Sequence, residues 1–282
     1  MRFATFLDDG PHRVAVVLGE HAVRLDLEAA GLGSMLEIVA AGAAGMSAIR
    51  DWLGEGRDRP LRRLDELDLG PGVPDPGAIY AIGLNYGPAD GLDADRPGRP
   101  MVYAKLPGSV AGHRATLTWD RALTANVDAE VELGVVIGRE AAAVTPADAM
   151  GRVFGYTCIN DISSRDPWLD GDQWLLGKSM PGFCPVGPIV VTADEIDTAD
   201  LRLGCTINGI AIQDGSTSQM RFSIPEVISY LSHHVVLRPG DLIATGTPAR
   251  LAGPLGPDRH LQSGDIATVW IEQIGELTTR IA

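Results

Sequence analysis

The chain has almost no lysine: of its 23 basic residues, only Lys105 and Lys178 are not arginine. Two positions that keep a compact ammonium in so arginine-rich a chain are candidates for places where a wide guanidinium is unwelcome. Cysteine is scarce as well. Cys158, Cys184 and Cys205 are odd in number and show no CxxC or metal-ligand spacing, which speaks against a disulfide framework and for buried free thiols in a reducing compartment. No run of about 18 apolar residues occurs, so no transmembrane helix is expected. The opening MRFATFLDDG carries early acids and no apolar stretch of the signal-peptide kind. The cytoplasm is therefore the expected location. Positive charge is short overall, and the formal net charge is -14. A field of that sign repels phosphate backbones and anionic lipid, so no nucleic acid and no membrane is an expected partner. It also opposes an anionic small molecule, unless a metal ion or local Lys and Arg reverse the field at the site. The phosphate-cradling pattern G-x-x-x-x-G-K-[ST] is missing, so nucleotide binding has no support.

What is present is length enough, at 282 residues, for one large domain with or without a small one, domains running to roughly 100–200 residues. Residues 1–70 read as a small α+β unit. VAVVLGEHAVRLD predicts two short strands around a turn at Gly19-Glu20, MLEIVAAGAAGMSAIRDWL has apolar residues at helical spacing, and RDRPLRRLDELDL is a charged connector. The Pro/Gly-rich PGVPDPG (71–77) is the expected boundary. The expected domains are thus 1–70 and 71–282. In the second, AIYAIGLNY, MVYAKL, AEVELGVVIG, VFGYTCIND, GPIVVT, LRLGCTING, LIATGTP and IATVWIEQIG are short apolar segments bounded by Gly, Pro, Asn and Asp, the texture of a largely β domain. TPADAMGRV and IPEVISYLSHHV predict helices, with Thr145 as an N-cap and Pro146 and Pro225 in first turns.

Strand alternation in AEVELGVVIG places Glu130 and Glu132 on one face and Ala129, Val131 and Leu133 on the other. Paired carboxylates repel, and the pattern fits either a solvated edge or a cation held between them. The apolar LGVVIG that follows points into the core, where an uncompensated acid pair costs roughly several kcal/mol. Asp161, at the end of GYTCIND, is a third candidate. Carboxylates without His or Cys suit hard ions such as Mg²⁺, Mn²⁺ or Ca²⁺. His233 and His234 are neighbours on a predicted helix, where adjacent side chains diverge by about 100°, so they read as structural rather than as ligands of one ion.

These motifs, in order, resemble the fumarylacetoacetate hydrolase family, which includes acylpyruvate hydrolases and oxaloacetate decarboxylases or tautomerases. The matching pieces are IGLNY, PMVYAKLPGSVAG, DAEVELGVVIG, GYTCINDISSRD, GKS, PVGP, NG, QDGSTSQM, LRPGDLIATGTP and SGD, over about residues 78–275. The resemblance implies an α+β fold: a mixed β-sandwich roll behind a small N-terminal α+β domain, forming a homodimer. It also implies that Glu130, Glu132 and Asp161 hold Mg²⁺ or Mn²⁺. Lys178 falls where a family lysine meets the metal-site carboxylates and the substrate, and Lys105 falls on the lysine of P-x-x-(F/Y)-x-K. Tyr86, Arg165, Trp168 and Thr247 fall where a substrate would be contacted. The implied activity is that of an enzyme on a small 2-oxo or diketo acid, working through a metal-bound enolate in C–C hydrolysis, decarboxylation or tautomerisation.

The resemblance breaks in the reaction-specific part. Hydrolytic members carry N-Y-x-x-H-x-x-E, whose His and Glu activate water. Here NYGPADGLDAD holds Ala89 and Leu92 at the direct positions. With a one-residue insertion, Asp90 and Asp93 keep the spacing and are the candidate catalytic carboxylates, although a carboxylic acid with a reference pKa near 4 is a weak base unless burial raises it. A solvated acidic loop is the alternative. Trp168 stands where many members have Gln, and Pro181-Gly182 where many have Asp. His113 is a further candidate for the missing base. The metal platform is thus expected without the standard dyad. That keeps open a cyclase, dehydratase or condensing enzyme of a specialised pathway, or a non-catalytic metal- or metabolite-binding relative.

Overall fold

Asn208 and Gly209 both adopt positive φ, at 51° and 78°, the geometry that closes a tight hairpin with the right-handed twist of its strands. This turn joins two neighbouring strands in the computed structural model, which describes residues 1–8, 10, 12–55, 59–88, 96–166, 173–255 and 259–282. The N-terminal part contributes β1 (Arg2–Leu7), β2 (His12–Leu18), β3 (His21–Arg24), helix α1 (Met35–Gly54) and β4 (Leu61–Arg63). Next come β5 (Ile79–Gly83), β6 (Met101–Lys105), the two-residue β7 (Val110–Ala111), β8 (Thr116–Leu117) and β9 (Val127–Asp128), and then β10 (Val131–Ile137). They are followed by α2 (Pro146–Ala149), β11 (Val153–Asn160), β12 (Ser163–Ser164), α3 (Trp174–Lys178) and β13 (Cys184–Thr192). The chain closes with β14 (Arg202–Ile207), β15 (Ile210–Ser216), α4 (Ile224–Ser232), β16 (Leu242–Ala244), β17 (Ile266–Ile271) and β18 (Gly275–Ile281).

The strands form a large mixed sheet in the order β4-β3-β2-β1-β13-β11-β10-β16-β5-β6, with β7 alongside β13. A smaller sheet runs β15-β14-β17-β18-β8. Strand β1 pairs antiparallel with β13, so residues 1–70 extend the large sheet rather than standing beside it. The two sheets face each other across one apolar cluster, in which Leu133, Val135 and Ile137 of β10 meet Leu203, Cys205, Val269 and Leu277. Val136 and Ile159 belong to a second cluster on the opposite face, with Ile38, Val39 and Ile49 of α1. Strand β10 is buried along its whole length, as befits a central strand covered on both faces. The observed architecture is the α+β roll that the sequence implies.

Two local readings need correction. TPADAMGRV makes only the four-residue α2 and a 3-10 turn (Met150–Arg152). The chain must straighten at once into β11, and Thr145 spends its hydroxyl on Asp148 Oδ2 at 2.7 Å instead of capping. The charged connector before residue 70 is also more ordered than its composition suggests, since Leu61–Arg63 pair with β3. Helix α1 is as expected but kinks at Gly42, where φ is 54°. Helix α4 starts as its Pro225 foretells, with the Ser223 amide donating to Glu226 at 2.8 Å. The thiols of Cys158, Cys184 and Cys205 are free and buried. Among the described residues no helix is long and apolar enough to cross a membrane.

Candidate metal and substrate site

Strand register assembles the site. In the β10–β11 pair Glu132 lies opposite Ile159, and the Asp161 amide donates to the Glu130 carbonyl at 2.9 Å. Residues opposite one another share a face, as do residues two apart. Glu130, Glu132 and Asp161 therefore converge, with a carboxylate oxygen of each within 4.8 Å of the others. All three are oxygen donors, and Glu132 and Asp161 are buried. The donor set and its spacing fit a hard divalent cation.

The lysines reach the same point from two directions. Lys105, at the end of β6, is fully buried and donates to Asp161 Oδ1 at 2.5 Å and to the Ile162 carbonyl at 3.1 Å. Lys178, at the end of α3, donates to Asp161 Oδ2 and to Ser163 Oγ at 2.6 Å each, and to Glu130 Oε2 at 3.1 Å. Arg165 bonds Glu130 through Nη2 and Asp128 Oδ2 through Nε, the latter at 3.3 Å.

These partners split the carboxylates electrostatically. Burial would raise Asp161, but Lys105 and Lys178 outweigh it and hold its carboxyl below the usual value. Burial likewise opposes ionisation of Glu130, and Lys178 and Arg165 prevail. Glu132 goes the other way: burial, then the charges of Asp161 and Glu130, push it well above the ordinary carboxyl range. The Gly246 amide donates to its Oε2 at 2.7 Å, and among the described residues it has no ion-pair partner. A bound cation would supply the charge that Glu132 lacks. Lys178 is raised above its ordinary value, because Asp161 and Glu130 overcome the effect of burial. Burial also raises Tyr103 and Tyr86, helped by Asp161 in the first case and by Glu132 in the second.

A cavity of about 320 Å³ opens over Glu130 and Glu132. Lys178, Arg165, Tyr86 and Thr247 line it, whereas Lys105 and Asp161 lie beneath with their side chains at 0% exposure. Gln213 orients Thr247, donating to its Oγ1 at 2.8 Å and to the Pro248 carbonyl at 2.7 Å.

Asp90, Asp93 and Trp168 lie outside the described residues. His113 does not replace a base here: it lines a different cavity, beside Arg114 and Pro188, and its Nδ1 accepts from the Thr278 amide at 3.3 Å. His233 and His234 are structural, each with Nδ1 2.8 Å from the carbonyl of the residue four earlier.

Several participants escaped the sequence reading. Tyr103 donates to Asp161 Oδ2 at 3.2 Å, and its ring lies 4.9 Å from Lys178 Nζ. Ser163 bridges Lys178 and Glu130. Asp128 binds Arg165 and Arg250. For two of them a signal existed: Tyr103 is two residues from Lys105 on one strand, and Asp128 is two residues from Glu130. Ser163 and Arg250 come from loops and short bridges whose placement no periodicity reveals.

Known proteins resemble this chain over most of its length. Residues 78–282 match the fumarylacetoacetate hydrolase C-terminal family model. The oxaloacetate tautomerase YisK of Bacillus subtilis is 37% identical over 260 residues, covering 88% of this chain and 86% of that protein. The fumarylacetoacetate hydrolase of the psychrophile Exiguobacterium antarcticum superposes with a TM-score of 0.85 at 31% identity, over 100% of this chain and 99% of that one. The maleylpyruvate hydrolase of Sphingobium sp. SYK-6, solved with manganese(II) and pyruvate, gives a TM-score of 0.82 at 26% identity, again over 100% and 99%. The fold and the carboxylate site thus define one class of enzyme. The chain belongs to the fumarylacetoacetate hydrolase family, whose members named here are hydrolases and a tautomerase.

Proposed function

We propose that the protein is a divalent-cation-dependent enzyme acting on a small 2-oxo or diketo acid, with keto–enol tautomerisation the reaction its residues support best. The observation that carries this reading is the convergence of Glu130, Glu132 and Asp161 around a point where Glu132, among the described residues, makes no ion pair. Those three side chains would hold Mg²⁺ or Mn²⁺, which supplies Lewis-acid polarisation of a keto oxygen. The manganese and pyruvate bound to the Sphingobium enzyme, and the tautomerase name of the Bacillus relative, support it.

The chain's own residues account for the rest. Arg165 and Lys178 place positive charge on the cavity wall and offset the negative field that would repel an anionic acid. Lys105 positions Asp161 from below. Thr247, held by Gln213, offers its hydroxyl to the substrate, and Tyr86 lines the cavity wall. Lys178 is kept protonated by Asp161 and Glu130, so it can stabilise enolate charge and hand a proton to carbon. The enol hydroxyl proton needs an acceptor, and Asp90 and Asp93 are the proposed ones.

Hydrolysis would require a base strong enough to activate water, which Asp90 and Asp93, as carboxylates, are less suited to be than to take the more acidic enol proton. Among the described residues no histidine lines the cavity, while Lys178, Tyr86 and Tyr103 are all held in their protonated forms. Reprotonating an enolate asks for an acid, which is present. Residues 1–70 are assigned a supporting role, because the lining of the cavity runs from Ile82 to Arg250. A homodimer is proposed from the outer edge of β6, where Met101 and Val102 are exposed near Leu106, Leu175 and Leu176; sedimentation velocity would show it.

The test follows the enol absorbance of oxaloacetate, with Mg²⁺, Mn²⁺ or a chelator, while pyruvate is assayed in parallel. Metal-dependent loss of enol without pyruvate is expected. Pyruvate release would move the reaction to decarboxylation, and a rate indifferent to the chelator would overturn the metal-dependent reading.

A further inference from the structure

A second cavity, of about 390 Å³, lies between residues 1–70 and the rest of the chain. It is no smaller than the cavity over the carboxylates, and seams between parts of a chain are favoured places for small-molecule sites. Val17 and Leu69 from the first part and Ile189 and Ile274 from the second give it a buried apolar floor. Its rim carries charged side chains, and they are unevenly engaged.

His113 stands on that rim, away from the metal site, with its ring fixed. Its Nδ1 accepts from the Thr278 amide at 3.3 Å. Burial, then Arg114 and Arg280, hold its pKa down at about 4. The imidazole is therefore neutral at neutral pH, and its proton sits on Nε2. That N–H has no hydrogen-bond partner among the described residues, and it is not one of the unpaired atoms sealed from solvent. It is a reachable donor at the edge of the cavity.

Arg114 beside it is held by its backbone alone. Its amide donates to the Thr278 carbonyl at 2.7 Å, and its own carbonyl accepts from Arg280 Nη1 at 3.2 Å. Its φ of 61° is a left-handed conformation uncommon for arginine. The guanidinium is exposed and makes no hydrogen bond or ion pair among the described residues. Its N–H groups form a planar fork that matches a carboxylate.

The other charges of the rim are occupied or lie in solvent. Arg63 grips Asp65 through Nε and Nη2 at 3.0 and 2.9 Å. Glu20 is 3.9 Å from the same guanidinium with its side chain 82% exposed. Arg2 donates to the Gln273 carbonyl, and Glu276 is exposed. The charges that act on His113 are those of Arg114 and Arg280, both positive. An anion beside His113 would thus meet a positive field and two unused donors.

We propose that this cavity is a second ligand site, which takes an organic monocarboxylate with an apolar body. The carboxylate binds Arg114 and His113 Nε2, and the hydrocarbon covers Val17, Leu69, Ile189 and Ile274. No metal and no 2-oxo group is needed there, so the inference is independent of the function proposed above.

The test is an NMR titration of the magnesium-loaded protein, observed at backbone amides and histidine rings, with hexanoate as the probe. Acetate lacks most of the apolar body and hexan-1-ol lacks the charge. Hexanoate should shift the His113 ring signals saturably, and each control should bind at least about 10-fold more weakly. The His113 signals are assigned by their loss in His113→Gln. Arg114→Gln should weaken hexanoate binding about 10-fold or more at an unchanged melting temperature, and Arg114→Lys should retain part of the affinity. No saturable shift at His113 would overturn the inference. So would shifts confined to residues around Glu130, which would put the carboxylate at the metal instead, or equal hexanoate binding by the wild type and Arg114→Gln.

Discussion

The ammonium of Lys105 sits 2.5 Å from Asp161 Oδ1, and both side chains are at 0% exposure. Removing one partner of a buried pair strands the other charge, at a cost of about 3–5 kcal/mol. Lys105→Met should lose stability on that scale in chemical denaturation, although it touches nothing in the cavity. Lys178 still faces Asp161 from the other side, so the loss should fall at the lower end. The double variant Lys105→Met/Asp161→Asn should recover much of it. Additive losses in the double variant would show that the pair is not coupled.

Gly246 is the backbone hinge of the site. Its φ is 94°, and a Cβ there would come within 2.8 Å of the Asn85 Cβ and the Ile82 carbonyl oxygen. Its amide also holds Glu132. Gly246→Ala should therefore cost about 1–3 kcal/mol of strain and displace one metal-site carboxylate. Thermal melts and manganese affinity should fall together; a melt unchanged from wild type would contradict the argument.

His113 makes a pH prediction away from the site. Burial, then Arg114 and Arg280, lower its pKa to about 4. The unfolded chain, with a histidine near 6.5, therefore binds more protons between these values, and stability must fall as pH drops from about 6.5 to about 4. Denaturation midpoints of His113→Gln should depend less on pH in that window than those of the wild type. Parallel profiles would rule out this contribution.

Much of the site was legible in the sequence because it is written in strand alternation. Glu130 and Glu132 share a face by parity, and the register of β10 on β11 adds Asp161 to it. The scarcity of lysine marked both ammonium groups, and both meet Asp161. What could not be read depends on contacts distant in sequence. Arg250 meets Asp128 across 122 residues, and Asn160 meets Thr279 across 119; no local period encodes such pairs. The short helix at Pro146–Ala149 looked longer because propensity continues past the point where β11 claims the chain. The pairing of β1 with β13 joins segments on either side of a Pro/Gly boundary that composition alone marks as a break.

Glu132 predicts a separation of stability from function. In the metal-free protein its carboxylate is buried beside two others with no ion-pair partner among the described residues. Glu132→Gln keeps the shape and removes that repulsion, so the metal-free variant should melt higher than the metal-free wild type. The metal-loaded wild type should overtake it, because a ligand that binds only the folded state adds to its stability. A metal-free variant that melts lower would mean that the Glu132 charge is already compensated.

The most direct test of the central claim is a manganese titration followed by electron paramagnetic resonance, on the wild type, Glu130→Gln and Glu132→Gln. The three-carboxylate site should bind one ion per chain in the wild type, and each substitution should weaken binding by at least the roughly 100-fold seen when a supporting outer partner is lost. Binding that is unchanged in both variants would contradict the metal site, and with it the enolate chemistry built on it.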